Sequence, residues 1–285
     1  MTVSGAFRVE PGTSVQLNRI DPSATPVGPH RKKKAAKRLR RVGIELDALQ
    51  ETLWAEGRAE NVDGGRRVLV VLQGMDTSGK GGVVRHVGGL LNPQGVQVTG
   101  FGVPTANERR HDFLWRVRRR VPAAGVIGFF DRSHYEDVLI TRVREVITKT
   151  VARERLGMIN DFEAELAESG VTLLKCFLHI SAEEQRKRLL ARIDNPAKRW
   201  KYSPDDLAAR GQWSRYQQVY EDTLSRTGTE LAPWHIIPAD HKWYRNWAVA
   251  RLLLESLRDL APQFPPPVFD VDTERMALTT ADPLG

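Results

Sequence analysis

The sequence predicts an α/β fold with a five-stranded parallel sheet flanked by helices. Short apolar segments alternate with longer segments of helical periodicity between residues 67 and 260. This alternation is typical of parallel strands joined by helices. A glycine-rich segment, residues 74–80, follows the first of these strands. It matches the phosphate-binding pattern G-x-x-x-x-G-K, which requires a strand before it and a helix after it.

Composition favours a globular protein with an anionic partner. The chain has 285 residues, 41% hydrophobic content and a net charge of +8, so it is long enough to bury a core and attracts anions. Its apolar runs fall short of the roughly 20 residues that span a bilayer, and its start lacks a secretory signal pattern. The one cysteine, Cys176, lies in an apolar run and is interpreted as a core residue. We therefore expect a soluble, cytoplasmic protein without a membrane partner.

The chain divides into three regions by composition. Residues 1–29 are rich in Pro, Gly, Ser and Thr and are expected to be a flexible segment that either drapes over the surface or stays mobile. Residues 30–260 form the predicted single domain, and residues 261–285 are a Pro-rich tail that cannot continue a helix. The domain begins with a basic run, residues 30–41, which has eight Lys or Arg and no acid. We interpret this run as a flexible cationic arm, with attraction of a long polyanion as the alternative.

The elements follow from local periodicity. Apolar residues at helical spacing predict a long helix that ends near Arg58. Strands are predicted at residues 67–72, 96–101, 126–130, 171–180 and 235–238. Further helices are predicted from the 79–80 turn and at residues 108–119, 134–143, 150–169, 182–193 and 242–260. The last helix has an apolar stripe, which we interpret as core packing.

The glycine-rich segment predicts a catalytic phosphate site. Gly74 and Gly79 allow backbone N–H groups to surround phosphate oxygens, and Lys80 supplies a positive charge. Gly81 stands where most such loops have a Ser or Thr that binds magnesium, and Asp76 is an acid inside the loop. An acid there would repel a bound phosphate chain, so its presence indicates metal chemistry. The alternative, a glycine-rich turn with an incidental lysine, is disfavoured by the strand and helix on either side. The other expected phosphate contacts are Thr77, Ser78 and Gly81.

The third predicted strand ends in a second candidate group, Asp131-Arg132. Ligand-binding residues of parallel sheets lie at the carboxyl ends of strands. Asp131 is therefore a candidate magnesium ligand together with Asp76, and Arg132 a candidate contact to the transferred phosphoryl group. The alternative is a strand-end turn in which the acid caps the next helix.

Two basic regions are candidate phosphate contacts. Arginines crowd residues 109–120, where Arg116 and Arg120 fall near one helical stripe. Residues 184–210 are expected to form a basic helical lid, whose closure over donor phosphates would exclude water. Its candidate contacts are Arg192, Lys198, Arg199 and Lys201. In both regions the alternative is a solvated basic face.

Four segments together resemble the polyphosphate kinase 2 family: residues 74–80, 92–95, 131–139 and 195–201. The likeness extends over residues 21–260. The resemblance implies a P-loop kinase of thymidylate-kinase-like fold with a lid and with Mg²⁺, or alternatively Mn²⁺, in the site. It also implies that Asp76 is the catalytic acid of the loop, Lys80 the loop lysine, and Asp131-Arg132 the pair at the end of the third strand.

The resemblance further implies the reaction. Inorganic polyphosphate would donate a phosphoryl group, reversibly, to a purine nucleoside mono- or diphosphate (AMP, ADP, GMP or GDP). Asp131 stands where the mono-and-diphosphate branch of the family often has Asn, which leaves the choice between AMP and ADP open. Related enzymes imply a homo-oligomer, either a dimer or a tetramer.

Two other functions compete with this one. The first is an ATP-dependent nucleotide kinase of the same fold. The second is a non-catalytic binder of polyanions or nucleic acid, which has no use for Asp76 and Asp131 in a phosphate site.

Overall fold

The computed structural model describes residues 2–59 and 65–281. Within these residues, five parallel strands form one sheet in the order β2-β3-β1-β4-β5. The strands are β1 Arg67–Gln73, β2 Val96–Gly100, β3 Ile127–Asp131, β4 Val171–His179 and β5 Trp234–Pro238. The predicted α/β fold and its five-stranded sheet are confirmed.

Helices cover both faces of this sheet. The helices before β3 are α1 Val3–Phe7, α2 Lys32–Glu56, α3 Lys80–His86 and α4 Trp115–Arg118. Between β3 and β5 lie α5 Glu136–Val143, α6 Lys149–Glu168, α7 Ala182–Asp194, α8 Pro204–Gly211 and α9 Trp213–Thr227. The last two are α10 Lys242–Leu260 and α11 Val271–Thr280. Among the described residues, none of these helices has the length and apolarity of a membrane-spanning segment.

Alternate side chains of the strands pack into two separate cores. On one face, Leu69 and Val71 of β1 contact apolar residues of α5, α6 and α9. On the other face, Val68 and Val70 contact α2, α3 and α10. Cys176 is buried in this second core and is not disulfide-bonded, as predicted.

The arginine-rich region differs from the prediction. The prediction of one helix over residues 108–119 is wrong. A short 3₁₀ turn, Glu108–Arg110, is followed by a separate four-residue helix, α4. His111 between them has an extended backbone. The side chain of Asp112 then accepts a hydrogen bond from the N–H of Leu114 at 3.0 Å. This local bond competes with continuation of the helix.

The two ends of the chain also contain helices that periodicity did not reveal. Val3 and Phe7 of α1 are buried, and the N–H groups of Val3 and Ser4 donate to Glu255 of α10 at 3.2 and 2.9 Å. Residues 3–17 therefore pack along the domain, as in the first of the two expected alternatives. At the other end, α11 forms beyond the Pro-rich stretch.

Candidate active site

The carboxyl ends of β1 and β3 bring the two predicted catalytic groups to one edge of the sheet. In the parallel register Leu72 lies opposite Asp131. The phosphate-binding loop, residues 74–79, starts two residues after Leu72. Asp131 and Arg132 therefore lie beside this loop, at the edge of the sheet where the sequence predicted them.

The loop requires its glycines for two different reasons. Gly74 has φ 144°, and a Cβ there would lie 2.6 Å from the carbonyl oxygen of Leu178. Gly79 has φ 106°, and a Cβ there would lie 1.8 Å from Nη1 of Arg245. Any larger residue at Gly79 would displace this arginine. Thr77 also adopts a positive φ of 64°, a backbone conformation that is uncommon outside glycine.

Two buried arginines outside the predicted phosphate contacts hold the loop in place, one from the predicted basic lid and one from α10. Arg245 of α10 donates from Nη1 to the carbonyl oxygen of Ser78 at 2.9 Å. Arg188 of α7 donates from Nη1 to the carbonyl oxygens of Thr77 and Ser78 at 2.9 and 3.2 Å, and from Nη2 to that of Ala239 at 2.7 Å. Burial, with the neighbouring charge of Arg188, lowers the pKa of Arg245 to about 9. These arginines turn the loop carbonyls away from the cleft, which leaves its N–H groups for an anion.

Lys80 lies at the first position of α3 and is 8% exposed. Its Nζ donates to the carbonyl oxygen of Gly74 at 2.8 Å, so the side chain folds back across the loop. Burial lowers the pKa of Lys80, whereas the nearby carboxylates of Asp76 and Asp131 oppose this shift. Lys80, the predicted loop lysine, is therefore close enough to Asp76 and Asp131 to feel the charge of both predicted acids.

Asp76 and Arg132 form an ion pair across the cleft. Nη2 of Arg132 donates to Oδ1 of Asp76 at 2.9 Å, and both side chains are partly exposed. Arg132 has a positive φ of 66°, an unusual conformation for a non-glycine residue that often marks a functional site. Burial opposes protonation of Arg132, but the carboxylates of Glu136 and Asp76 more than offset it and raise its pKa.

Gly81 and Asp131 are neighbours in a way that suits a metal site. A Cβ on Gly81 would lie 3.3 Å from Oδ2 of Asp131. The place that a Ser or Thr side chain takes in most such loops is therefore bordered by a carboxylate. Carboxylate oxygens are ligands that Mg²⁺ accepts, usually one or two of them together with substrate phosphates. Among the described residues, no three His, Cys, Asp or Glu side chains are placed to hold a metal ion together.

Glu136 is a third acid of the cleft, and it lies within the segment 131–139 without having been predicted as a site residue. It lies in the first turn of α5, and burial raises its pKa against the effect of Arg132 and Lys80. The side-chain amide of Gln73 can be oriented so that both of its polar atoms have partners. In that orientation the amide nitrogen of Gln73 donates to Oε1 of Glu136 at 3.1 Å, and the amide oxygen of Gln73 accepts from Oγ of Ser133 at 3.0 Å. A Glu in the first turn after Asp131-Arg132 was the sequence pattern that could have identified it.

The lid, residues 184–210, lies next to the loop and brings an unexpected acid. Arg192 pairs with Asp206 at 3.5 Å. Burial raises the pKa of Asp206, and the negative charge of Asp76 adds to this effect. The contacts that join this region to the loop are made by Gln185, which donates to the carbonyl oxygen of Asp76 at 3.2 Å, and by Arg188. The other predicted lid cations are exposed, and two of them have contacts within the lid: Arg199 donates to the carbonyl oxygen of Ile193 at 2.8 Å, and Lys201 lies over the Trp200 ring. Lys198 is also exposed.

Arg116 and Arg120 lie together near Glu108, whose pKa they help to lower after its hydrogen bonds to Thr105. Arg116 is buried, and it donates to Asp137 at 2.8 Å and to the carbonyl oxygen of Gly102 at 2.9 Å. Arg120 is exposed. Arg116 is thus already neutralised by an acid, and its predicted phosphate contact would compete with Asp137.

Comparisons with known proteins agree with this geometry. Residues 30–265 match the model of the family described as polyphosphate kinase 2. An AMP/ADP-polyphosphate phosphotransferase of Meiothermus ruber is 47% identical over 92% of this chain and 95% of its own. An ADP-polyphosphate phosphotransferase of Rhodopseudomonas palustris is 40% identical over 91% of each chain. The crystal structure of polyphosphate kinase 2 from Arthrobacter aurescens superposes with a TM-score of 0.94 at 45% identity over 99% of this chain and 98% of that one. The chain therefore belongs to the polyphosphate kinase 2 family.

Proposed function

We propose that this protein transfers a phosphoryl group from inorganic polyphosphate to a purine nucleoside mono- or diphosphate, reversibly. The observation that carries the proposal is the convergence of Asp76, Lys80, Asp131 and Arg132 at one edge of the sheet. A relative named AMP/ADP-polyphosphate phosphotransferase shares 47% of its residues with this chain over 92% of the chain. Donor and acceptor are both anions, so the main task of the site is to neutralise their charge. The transfer needs no covalent bond between the phosphoryl group and the protein.

Each residue of the site has a physical role in this proposal. Lys80 and Arg132 neutralise the transferred group as its charge spreads over the equatorial oxygens. Asp76 orients the attacking phosphate oxygen of the acceptor, and Arg132 holds the Asp76 carboxylate in place through their 2.9 Å hydrogen bond. Loop residues Gly74, Thr77, Ser78, Gly79 and Gly81 surround the phosphates, while Arg192, Lys198, Arg199 and Lys201 of the lid exclude water when it closes.

We propose that Asp76 and Asp131 hold Mg²⁺, with Mn²⁺ as an alternative. When bound, the metal would neutralise phosphate charge and align donor with acceptor. The support is the Asp131 carboxylate beside Gly81, in the place of the usual hydroxyl. These two acids would otherwise repel both substrates.

We also propose that the enzyme acts in the cytoplasm as a homo-oligomer. The buried free thiol of Cys176 suits a reducing compartment. Apolar side chains exposed near and on α11, among them Val268, Met276 and Leu278, offer surface for a subunit contact. Sedimentation velocity over a range of protein concentrations would test the assembly, and a monomer throughout would contradict it.

The decisive experiment incubates the protein with long-chain polyphosphate, Mg²⁺ and either AMP or ADP, and then separates the nucleotides. Formation of ADP or ATP without added ATP supports the proposed donor, and the ratio of rates identifies the preferred acceptor. Conversion that requires ATP and ignores polyphosphate would instead indicate an ATP-dependent nucleotide kinase.

A further inference from the structure

The basic run that was predicted to be a flexible arm is helical from Lys32 onwards, and residues 31–41 at the start of α2 carry a dense face of positive charge outside the active site. Its eight cations are all exposed. Only Ala35 in this segment is buried, so packing does not account for the residues around it. We call these cations the α2 basic face; they are Arg31, Lys32, Lys33, Lys34, Lys37, Arg38, Arg40 and Arg41.

This face is not balanced by acids. None of its eight cations forms a salt bridge with a residue that the structure describes. The acid near Arg38 and Arg41 is Glu255, and it already accepts hydrogen bonds from α1 and from Arg251. Some exposed arginines elsewhere do have such a partner, among them Arg118 with Glu165 at 2.6 Å.

The placement of the cations also opposes helix stability. Lys32, Lys33 and Lys34 occupy the first turn of α2, the first turn has no acid, and Arg31 makes no side-chain cap. The amino end of a helix is its positive pole, so cations there are unfavourable by several tenths of a kcal/mol each. A sequence shaped only for folding would place acids at these positions, which indicates a ligand of negative charge.

The basic face starts at the same edge of the sheet as the active site. The segment before it crosses the start of α10, where the hydroxyl of Tyr244 donates to the carbonyl oxygen of Val27 at 2.8 Å and Gly28 lies against Trp247. α2 then runs parallel to α10, since Arg38 borders Trp247 and, further along, Glu45 pairs with Arg258. The start of α10 also carries Arg245, which binds the phosphate loop.

Lys242 lies near cations of the lid. It is the first residue of α10. Burial lowers the pKa of Lys242, and the positive charges of Arg188, Arg245 and Lys198 add to this effect. Positive charge therefore extends from Lys198 of the lid to Lys242, at the end of α10 that residues 27–28 cross before α2 begins.

We propose that the α2 basic face binds the length of a long polyphosphate chain that extends beyond the catalytic cleft. This inference rests on the proposed donor. Over residues 32–41 the helix presents these cations along about 15 Å, so it can neutralise several consecutive phosphates. A linear polyanion gains affinity from each contact because counterions are released. Short chains that end within the cleft gain nothing from this face.

The test compares matched variants with donors of two lengths. In Lys32→Gln/Lys33→Gln/Lys34→Gln/Lys37→Gln, glutamine keeps helix propensity and removes four charges. We expect the KM for long-chain polyphosphate to rise about tenfold and its dependence on log salt to become shallower by about 3. The KM for chains of about ten phosphates, the KM for ADP and kcat should stay as in the wild type.

A smaller pair of variants controls for net charge. Lys33→Gln/Lys37→Gln removes two cations four residues apart from the basic face, and Lys149→Gln/Arg153→Gln does the same on α6, which covers the opposite face of the sheet. Only the first pair should weaken long-chain binding.

Two results would overturn the proposal while polyphosphate turnover remains intact. One is an unchanged long-chain KM and salt dependence in the fourfold variant. The other is loss of single-stranded RNA binding with unchanged polyphosphate binding, which would make the face a nucleic-acid surface. A wild-type protein that uses polyphosphate of neither length would instead overturn the proposed function and this inference together.

Discussion

Oδ1 of Asp76 accepts a hydrogen bond from Nη2 of Arg132 at 2.9 Å, and this contact joins the loop after β1 to the turn after β3. The side chains of Asp76 and Arg132 are 30% and 36% exposed. An ion pair this accessible to water adds little to stability. Its position at the cleft therefore indicates a role in ligand binding, where the arginine keeps the acid in one orientation.

Replacing Asp76 with Asn tests the charge of this acid separately from its shape. Asn retains an oxygen that can accept from Arg132, so we expect the free energy of unfolding to change by less than about 1 kcal/mol. Turnover with polyphosphate, ADP and Mg²⁺ should fall by about a thousandfold, since a charged group at the reacting phosphates is lost. Asp205→Asn, at a largely exposed acid that pairs with Arg144 at 3.7 Å, is the matched control. Near-normal turnover of the Asp76 variant would show that the acid has no catalytic role.

Gly81→Ala should separate stability from activity. Alanine in place of glycine within a helix stabilises by about 0.5–1 kcal/mol. However, the new Cβ would lie 3.3 Å from Oδ2 of Asp131, so the carboxylate must move. We expect kcat to fall about tenfold and the Mg²⁺ concentration for half-maximal rate to rise, because small displacements of catalytic groups are costly.

Gly157→Ala on α6 provides the control for this glycine. A Cβ at Gly157 meets nothing within 4 Å, so that variant should gain stability and keep its activity. Unfolding in urea and steady-state rates measure both effects. Full activity in Gly81→Ala would contradict the assignment of Asp131 to the metal site.

Lys175 and Glu163 form a buried ion pair beneath the turn after β3. Removing only one of the two charges should destabilise the protein strongly. Nζ of Lys175 donates to Glu163 at 2.6 Å and to the carbonyl oxygen of Thr227 at 2.6 Å, and Tyr135 donates to the same Glu163 at 2.8 Å. Burial opposes ionisation of Glu163, but Lys175 outweighs it and keeps the pKa of the carboxyl low. Lys175→Met leaves this charge unpaired and should destabilise by about 3–5 kcal/mol.

The partner substitution should restore much of that loss. Glu163→Gln removes the unpaired charge and keeps hydrogen-bonding groups for Tyr135. We therefore expect the double variant to be more stable than Lys175→Met alone, as measured by urea denaturation of all four proteins of the cycle. Strictly additive losses would mean that the two charges do not interact.

His235 should make stability fall in mild acid. Burial lowers its pKa from 6.5 to about 4. Below pH 6.5 His235 binds a proton in the unfolded chain but not in the folded protein. This difference in proton binding leaves the free energy of unfolding unaffected above pH 6.5 and lowers it as the pH falls towards about 4. The loss attributable to His235 approaches about 3 kcal/mol.

Urea midpoints measured across this pH range give the comparison. His235→Asn should show a shallower dependence than the wild type, whereas His86→Asn, at an exposed histidine, should follow the wild type. Parallel curves for all three proteins would contradict the assignment.

The fold and the centre of the site could be predicted from the sequence because both depend on patterns among residues that are close along the chain. The strands, the loop and Asp131-Arg132 are local patterns, and a parallel sheet brings the carboxyl ends of its strands to one edge. The predicted identity of the loop lysine and its acid followed from the same motif. Burial of Cys176 also followed from its apolar surroundings.

Tertiary structure decided what distant residues do to that motif. Arg188 and Arg245 follow the loop by more than 100 residues, yet their guanidinium groups bind its carbonyl oxygens. Arg116, which composition grouped with free phosphate contacts, pairs instead with Asp137. Hydrogen bonds and charges act through space over a few ångströms, whereas sequence patterns report only local periodicity. The sequence by itself therefore determined the strands, the loop and its acids, while only the packed structure decided which cations hold the loop and which remain for a ligand.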